Sequence, residues 1–370
     1  MVVKQLLKER RILMADKITI SNTELLYDPL FDKKPDLKMK GKKNTIFKAV
    51  FIIVISCFVG FSLYLSFNSI SSDKYTYKQT DNGYTLYQFV GKEDDISLHV
   101  DYFRDEAGVI DTSKPVTDVR EFSMSCNEYV RFIFIGKDVS NLQKHCFYYT
   151  KNLMAVIVDP ENQHFTSVDG VLYSKDMTEI FIHPMRNHQY RTALAAGMTD
   201  PVDEATAKAF LDEFNKKYGD ETTVDAEEYA KQFSQQAFYV IPDTVIRIED
   251  SCFSDCEALT YVDIPSSVKE IGSLAFFKCK NFETITIPDG VETIGSDGFS
   301  YCERVTYIYV PESVKFIGHH AFFGNLGCEK IYLGAESEAS VETGENWLPK
   351  KSTTSLKDIE AVYGQERRAN

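Results

Sequence analysis

Eight cysteines and seven histidines are the residues of this 370-residue chain whose types could do chemistry. Cys256, Cys279 and Cys302 stand 23 residues apart, so a repeating backbone would bring their thiols into one column. Such a column could hold a metal, close a disulfide or fill a core. Paired strands lie about 4.8 Å apart, within disulfide reach, yet in-register side chains on parallel strands point the same way rather than at each other. A small buried hydrophobe is therefore the reading these three positions fit best. Cys146 and Cys252 share a slot filled elsewhere by Ala275 and Ala321, and Cys126 is left as a candidate partner for Cys146. The histidines form no pattern such as H-E-x-x-H, and the adjacent His319 and His320 are expected at a solvated turn. Nucleophile elbow, phosphate loop and dinucleotide fingerprint are all missing. Carboxylate pairs such as Glu227 and Glu228 are expected on exposed helical turns. The chain is read as no enzyme: no catalytic residue, no metal ligand and no cofactor is assigned.

The elements that position these residues follow a ruler. Pro242, Pro265, Pro288 and Pro311 keep a 23-residue step, as do Val245, Val268, Val291 and Val314. Ile248, Ile271, Ile294 and Ile317 repeat it, followed by Phe253, Phe276, Phe299 and Phe322. Asn325 takes the fourth cysteine slot. The column Val262, Ile285, Ile308 and Ile331 then leads to Ile264, Ile287, Val310 and Leu333. Two looser units precede these, one over Val116, Val119, Met124, Val130, Ile133 and Ile135 and one over Val139, Leu142, Phe147, Leu153, Val156 and Val158. A fixed period of this length predicts a solenoid, because one unit cannot bury its apolar side chains and a stack can. Each L-x-x-I-x-I run alternates as a half-buried strand does, and the following Pro turns the chain. Gly272, Gly295 and Gly318 are expected to supply turn dihedrals closed to other residues.

The units resemble the leucine-rich repeats of BspA-like bacterial surface proteins, of the form I-P-x-x-V-x-x-I-G-x-x-A-F-x-x-C-x-x-L-x-x-I-x-I. The run from Ile157 to Pro184, with Asn162 ahead of Asp169-Gly170-Val171-Leu172-Tyr173, resembles the insert that interrupts arrays of that family. The likeness spans about 74–348 with a gap near 187–238. It implies a β-rich solenoid of leucine-rich-repeat type with a parallel sheet, displayed on a cell surface for adhesion or protein binding, and it implies no catalytic residues.

Outward positions of the predicted strands hold Phe132, Phe134, Tyr261, Asp263, Thr284, Thr286, Tyr307, Tyr309, Lys330 and Tyr332. Exposed aromatics favour interfaces, which makes these ten the candidate partner-binding face. The alternative is that aromatics and Thr simply suit strands. The Phe132 end is also a place that a helical insert could cover. That insert is expected over 187–238 as two acidic helices. The first has Asp200 as cap, Pro201 in its first turn, Phe210 and Phe214 one turn apart and Gly219 as stop; the second has an Asp225/Glu228 capping box with Tyr229 and Phe233 on one face. It either packs on neighbouring coils or projects to a partner. An Asp81-Asn82-Gly83 turn marks a hairpin in an N-terminal cap, and a second hairpin is expected from Val171–Tyr173 against Ile180–Ile182.

Charge divides the chain. Residues 1–48 hold 12 Lys/Arg against 6 Asp/Glu, whereas 49–370 hold 29 against 49. An acidic body repels phosphates, which excludes nucleic acid as a partner. Residues 49–67 contain no charge, and about 20 apolar residues in a helix cross a bilayer. The basic flank places the N-terminus in the cytoplasm and the body outside. A cleaved signal peptide is the competing reading; the length of the run, its late start and the lack of an A-x-A site favour an uncleaved anchor. The faint sortase-like 348–353 lacks the hydrophobic tail such a signal needs.

The expected organisation is a basic tail at 1–48, a transmembrane helix at 49–67, a cap at 68–115, repeats with their hairpin at 116–186, a helical insert at 187–238, regular repeats at 239–334 and a cap with tail at 335–370. The expected role is a single-pass, membrane-anchored extracellular protein that binds protein or glycan. The alternative is a cell-envelope sensor whose tail reads out what the ectodomain binds. Nothing in the sequence fixes an oligomeric state.

Overall fold

The computed structural model describes residues 69–71, 74–91, 97–104, 109–219, 231–234, 237–352, 355–359 and 361–364. These belong to one compact unit, Leu65–Asn370. The expected basic tail, the expected transmembrane run at 49–67 and Cys57 lie outside the described residues, and no helix of the described residues is long and apolar enough to cross a membrane.

The ruler becomes a stack of coils with three sides. One side is a row of short parallel strands, where Glu179–Ile182, Arg247–Ile248, Glu270–Ile271, Thr293–Ile294, Phe316–Ile317 and Glu342–Thr343 pair in order. A second side carries longer parallel strands in three groups. Ser97–Val100, Phe132–Ile135 and Ala155–Val158 form the first. Phe238–Val240 and Tyr261–Asp263 form the second. Thr284–Thr286, Tyr307–Val310, Lys330–Leu333 and Ala361–Val362 form the third. Alternation explains the long strands: Ile285, Ile308 and Ile331 are buried while their neighbours face out.

The third side is irregular yet also laddered. Backbone N–H groups of Ser251, Phe253 and Asp255 donate to the carbonyls of Ser273, Ala275 and Phe277 at 2.7–2.9 Å, and the next two coils repeat the pattern. Holding it requires two left-handed residues per coil: Ser251 and Asp255, Leu274 and Lys278, Asp297 and Tyr301 all have φ between 55° and 62°. For non-glycine residues this conformation costs about 1–2 kcal/mol each, which the interlocked ladder offsets. The expectation for Gly272, Gly295 and Gly318 is therefore corrected, since none of these lies at positive φ. Their reason is close approach: a Cβ on Gly295 or Gly318 would sit 2.5 Å from the backbone nitrogen of Ser273 or Ser296 in the preceding coil.

Inside the stack the repeat phenylalanines form a column. Ring centroids of Phe253, Phe276, Phe299 and Phe322 follow one another at 5.0, 4.8 and 5.8 Å, all stacked. Beside them the cysteine column is buried and reduced. Cys279 and Cys302 donate Sγ–H to the carbonyls of Phe253 and Phe276 at 3.2 and 3.3 Å. Asn325, in the next place, donates Nδ2–H to the Phe299 carbonyl at 3.1 Å and accepts from the Cys302 N–H at 2.7 Å. The slot selects a small buried donor, which accounts for both residue types. All seven described cysteines are free, so Cys126 and Cys146 form no disulfide.

Both expected hairpins are present. Tyr75–Gln79 pairs with Tyr84–Phe89 around Gly83 (φ 154°). Leu172 and Tyr173 pair with Ile182 and Ile180, and Phe165–Val168 adds a strand on the other side. Asn162 organises the approach: it is fully buried, donates to the carbonyls of Gly136 and Val139, and accepts from the N–H groups of His164 and Phe165. This hairpin stands where a coil would. Glu179–Ile182 continues the short-strand row, but after His183 the chain turns away. The His183 ring stacks on Phe253 at 5.1 Å, filling that layer's place in the aromatic column.

Two helices follow, α1 over Asn187–Ala195 and α2 over Glu204–Tyr218. The cap of α2 is Asp203 rather than Asp200, because the Asp203 carboxylate and Thr206 make a reciprocal capping box. Gly219 ends it at φ 79°. Helix α1 was not expected; three of its five buried residues are the polar Asn187, His188 and Gln189, and its cap, Arg186, supplies no side-chain hydrogen bond. Most of the expected second helix, including Asp225, Glu227, Glu228 and Tyr229, lies outside the described residues, although Phe233 is buried.

Candidate partner-binding face

The outward positions of the long strands make two rows. Register places Phe238 beside Tyr261 and Val240 beside Asp263. It likewise aligns Thr284, Tyr307 and Lys330 in one row and Thr286, Tyr309 and Tyr332 in the other. Tyr261, Asp263, Thr284 and Lys330 are exposed; Thr286, Tyr307, Tyr309 and Tyr332 are half-buried by one another. The Tyr309 and Tyr332 rings stack at 5.1 Å and 16°. Tyr307 donates its hydroxyl to the Glu329 carboxylate at 3.0 Å, and that bond raises the phenol above its ordinary pKa. Tyr261 donates to the Asp263 carboxylate at 3.2 Å. The rings are thus held upright by neighbours, a low-entropy surface for contact.

Phe132 and Phe134 do not belong to this open surface. Both are buried, because α1 and α2 lie over their end of the long-strand side. Phe132 meets Phe210 edge to face at 5.7 Å and Tyr190 at 6.4 Å. Phe210, Phe214 and Phe233 continue the cover, and Tyr190 donates to the Asp200 carboxylate to fix α1. Phe134 stacks on His99 at 4.5 Å.

Two members of the open face were missed by sequence reasoning. Phe238 and Val240 are 47% and 56% exposed, the apolar end of the rows. The ruler held the signal, since they stand 23 residues before Tyr261 and Asp263. Arg191 on α1 donates to the Phe238 carbonyl at 2.9 Å and lies over the Tyr239 ring, so the insert abuts the face where it opens.

Among the described residues no group of three His, Cys, Asp or Glu side chains could hold a metal ion. Burial pushes the Cys302 thiol up to about 12, away from the thiolate that redox or nucleophilic chemistry needs. His183 and His188 are lowered to about 3 by burial and stay neutral.

Residues 222–342 match the model of the BspA type leucine rich repeat region, in six copies. This stretch is a BspA-type leucine-rich repeat array. The BspA-type match begins ahead of Val245 and takes in the Phe238–Val240 strand, whereas the two looser units at 116–158 lie outside it. No curated protein matches the chain. Among solved structures, it is similar to the pneumococcal vaccine antigen PcpA, at 15% identity over 80% of this chain and 87% of that one, TM-score 0.41. A leucine-rich repeat protein from Eubacterium ventriosum aligns at 16% identity over 75% and 83%, TM-score 0.43. A leucine rich cell surface protein from Faecalibacterium prausnitzii aligns at 13% identity over 74% and 97%, TM-score 0.36.

Proposed function

We propose that this protein is a non-catalytic binding module displayed at a bacterial cell surface, whose open long-strand face docks a protein partner. The observation that carries this reading is the contrast along one face. Where the outward residues are Phe132 and Phe134, the chain covers them with its own helices; from Phe238 to Tyr332 it leaves aromatics uncovered. Protein interfaces favour such tyrosines. Anchoring by residues 49–67, with residues 1–48 inside the cell, belongs to the same proposal and rests on the uncharged run and its basic flank. A sheet face that binds needs no contribution from the tail, so deleting residues 1–40 should leave binding intact.

The test is capture of proteins from host surface and matrix extracts by the full chain and by Tyr307→Ala/Tyr309→Ala. The expected result is a partner retained by the native chain and lost at least tenfold by the double variant, with unchanged melting. Equal capture by both would remove the face from the account. Binding to a glycan array but not to protein would replace the class of partner.

A further inference from the structure

The hairpin layer supplies a short strand but no turn side, and this leaves a gap in the third ladder. In the first three regular coils, three N–H groups at alternate positions donate to the next coil's turn. The equivalent groups in the coil before the hairpin are those of His145, Phe147 and Tyr149, with His145 and Tyr149 in the same left-handed conformation as Ser251 and Asp255. Among the described residues nothing accepts from these three N–H groups. Across the gap, the carbonyls of Asp250 and Ser254 stand where the next coil's acceptors belong, and no described group donates to them; the Cys252 carbonyl between them takes the His183 N–H at 2.9 Å. Donors and acceptors thus face each other across a missing layer.

The space between them is a shallow cleft open to solvent, lined by Phe147, Phe181 and Ile182. A smaller cleft adjoins it beneath Tyr149 and Ser254. Two side-chain bridges span the gap: His145 Nδ1 lies 2.7 Å from Ser251 Oγ, and Lys144 pairs with Asp250 at 2.7 Å.

We propose that this gap is a second binding site, which takes a turn-wound peptide segment of a partner protein as a substitute layer. The peptide presents three alternate carbonyls to His145, Phe147 and Tyr149, and two of its N–H groups meet the carbonyls of Asp250 and Ser254. The neighbouring coils show the occupant's chemistry, since the later ones meet equivalent donors with a run of overlapping tight turns that carries two left-handed residues. Its central side chain is small, because His183 already fills that layer's core position. The site is separate from the tyrosine face and does not depend on it.

The test uses a capped peptide copying residues 272–278, with Ala in place of Phe276, added to the full chain. Amide exchange is then followed over 143–150. Slowing of the His145, Phe147 and Tyr149 amides by at least tenfold at saturation is expected. The same peptide N-methylated at the positions of Leu274 and Lys278 should leave them unprotected. Ser251→Ala, which removes one bridge across the gap, should bind the unmodified peptide more tightly. Unchanged exchange, equal protection by both peptides, or protection of these amides before any peptide is added would each overturn the proposal, the last because the chain would then fill the gap itself.

Discussion

The coils from Pro242 to Leu333 and those from Val116 to Val158 use the same slots and treat their outer face in opposite ways. In the later coils the outward strand positions hold Tyr, Thr, Lys and Asp and stand open; in the earlier ones they hold Phe132, Phe134, Ala155 and Ile157 and lie against α1 and α2. The buried side of both is alike. The inner positions of a solenoid state only that a coil exists, whereas the outer positions record whether something in the same chain covers it. A face that is open and still aromatic is the informative exception.

That comparison can be broken most severely from within. Phe276→Ala removes the middle of a stacked column that is fully buried, and unfolding should cost about 3–5 kcal/mol less in denaturant titration. Phe210→Ala strikes the cover instead. It should destabilise by about 3 kcal/mol and expose Phe132 and Phe134, read as new dye binding, while the later coils keep their exchange protection. If the later coils lose protection as well, the two regions do not differ as described. Asn325→Ala leaves the Cys302 N–H and the Phe299 carbonyl without their buried partner and should cost about 1–3 kcal/mol. Asn325→Cys, which restores the residue type of the slot, should recover part of this.

Acid offers a gentler probe of the layer between the regions. His183 and His188 stay neutral when folded because burial lowers both to about 3, while an unfolded histidine titrates near 6.5. Below about pH 6.5 the unfolded chain therefore binds protons that the folded chain refuses, and stability falls as pH drops toward 3. Each group contributes at most about 1.4 kcal/mol per pH unit. His183→Phe puts the repeat's own residue into the column and should flatten this slope, measured by denaturant midpoints between pH 7 and pH 4.5. An unaltered slope would show that His183 is not buried as described. The smallest effect is expected on the open face, where Tyr309→Ala should cost about 0.5–1.5 kcal/mol through loss of its stack on Tyr332.

Much of this was legible in the residues. Equal spacing gave the phenylalanine column, the reduced cysteines and the outward rows, because stacking places like side chains at like heights. Other features were hidden for physical reasons. The glycines after each short strand fit a turn as well as they fit a close approach, and sequence does not distinguish the two; the structure finds the close approach, with the left-handed turns given to Ser251, Leu274, Asp297 and their partners. Helix α1 escaped because its first turn has neither a capping side chain nor an acidic residue. The burial of Phe132 and Phe134 depends on α2, a long-range contact that no local period encodes. The gap beside His145 is the absence of a layer, and a hairpin's sequence does not announce which side of the coil it leaves out.

The ladder on the third side also governs how such a chain changes its length. From Pro242 to Leu333 each coil carries the same Phe and the same Cys or Asn, and the first three offer their successors the same donors, so a copy of 23 residues from this stretch slots in with its partners waiting. Unequal recombination between the gene segments for neighbouring coils would then lengthen or shorten the tower without a misfit, provided the exchange spans whole units. A slip of even one residue would turn the inward column toward water.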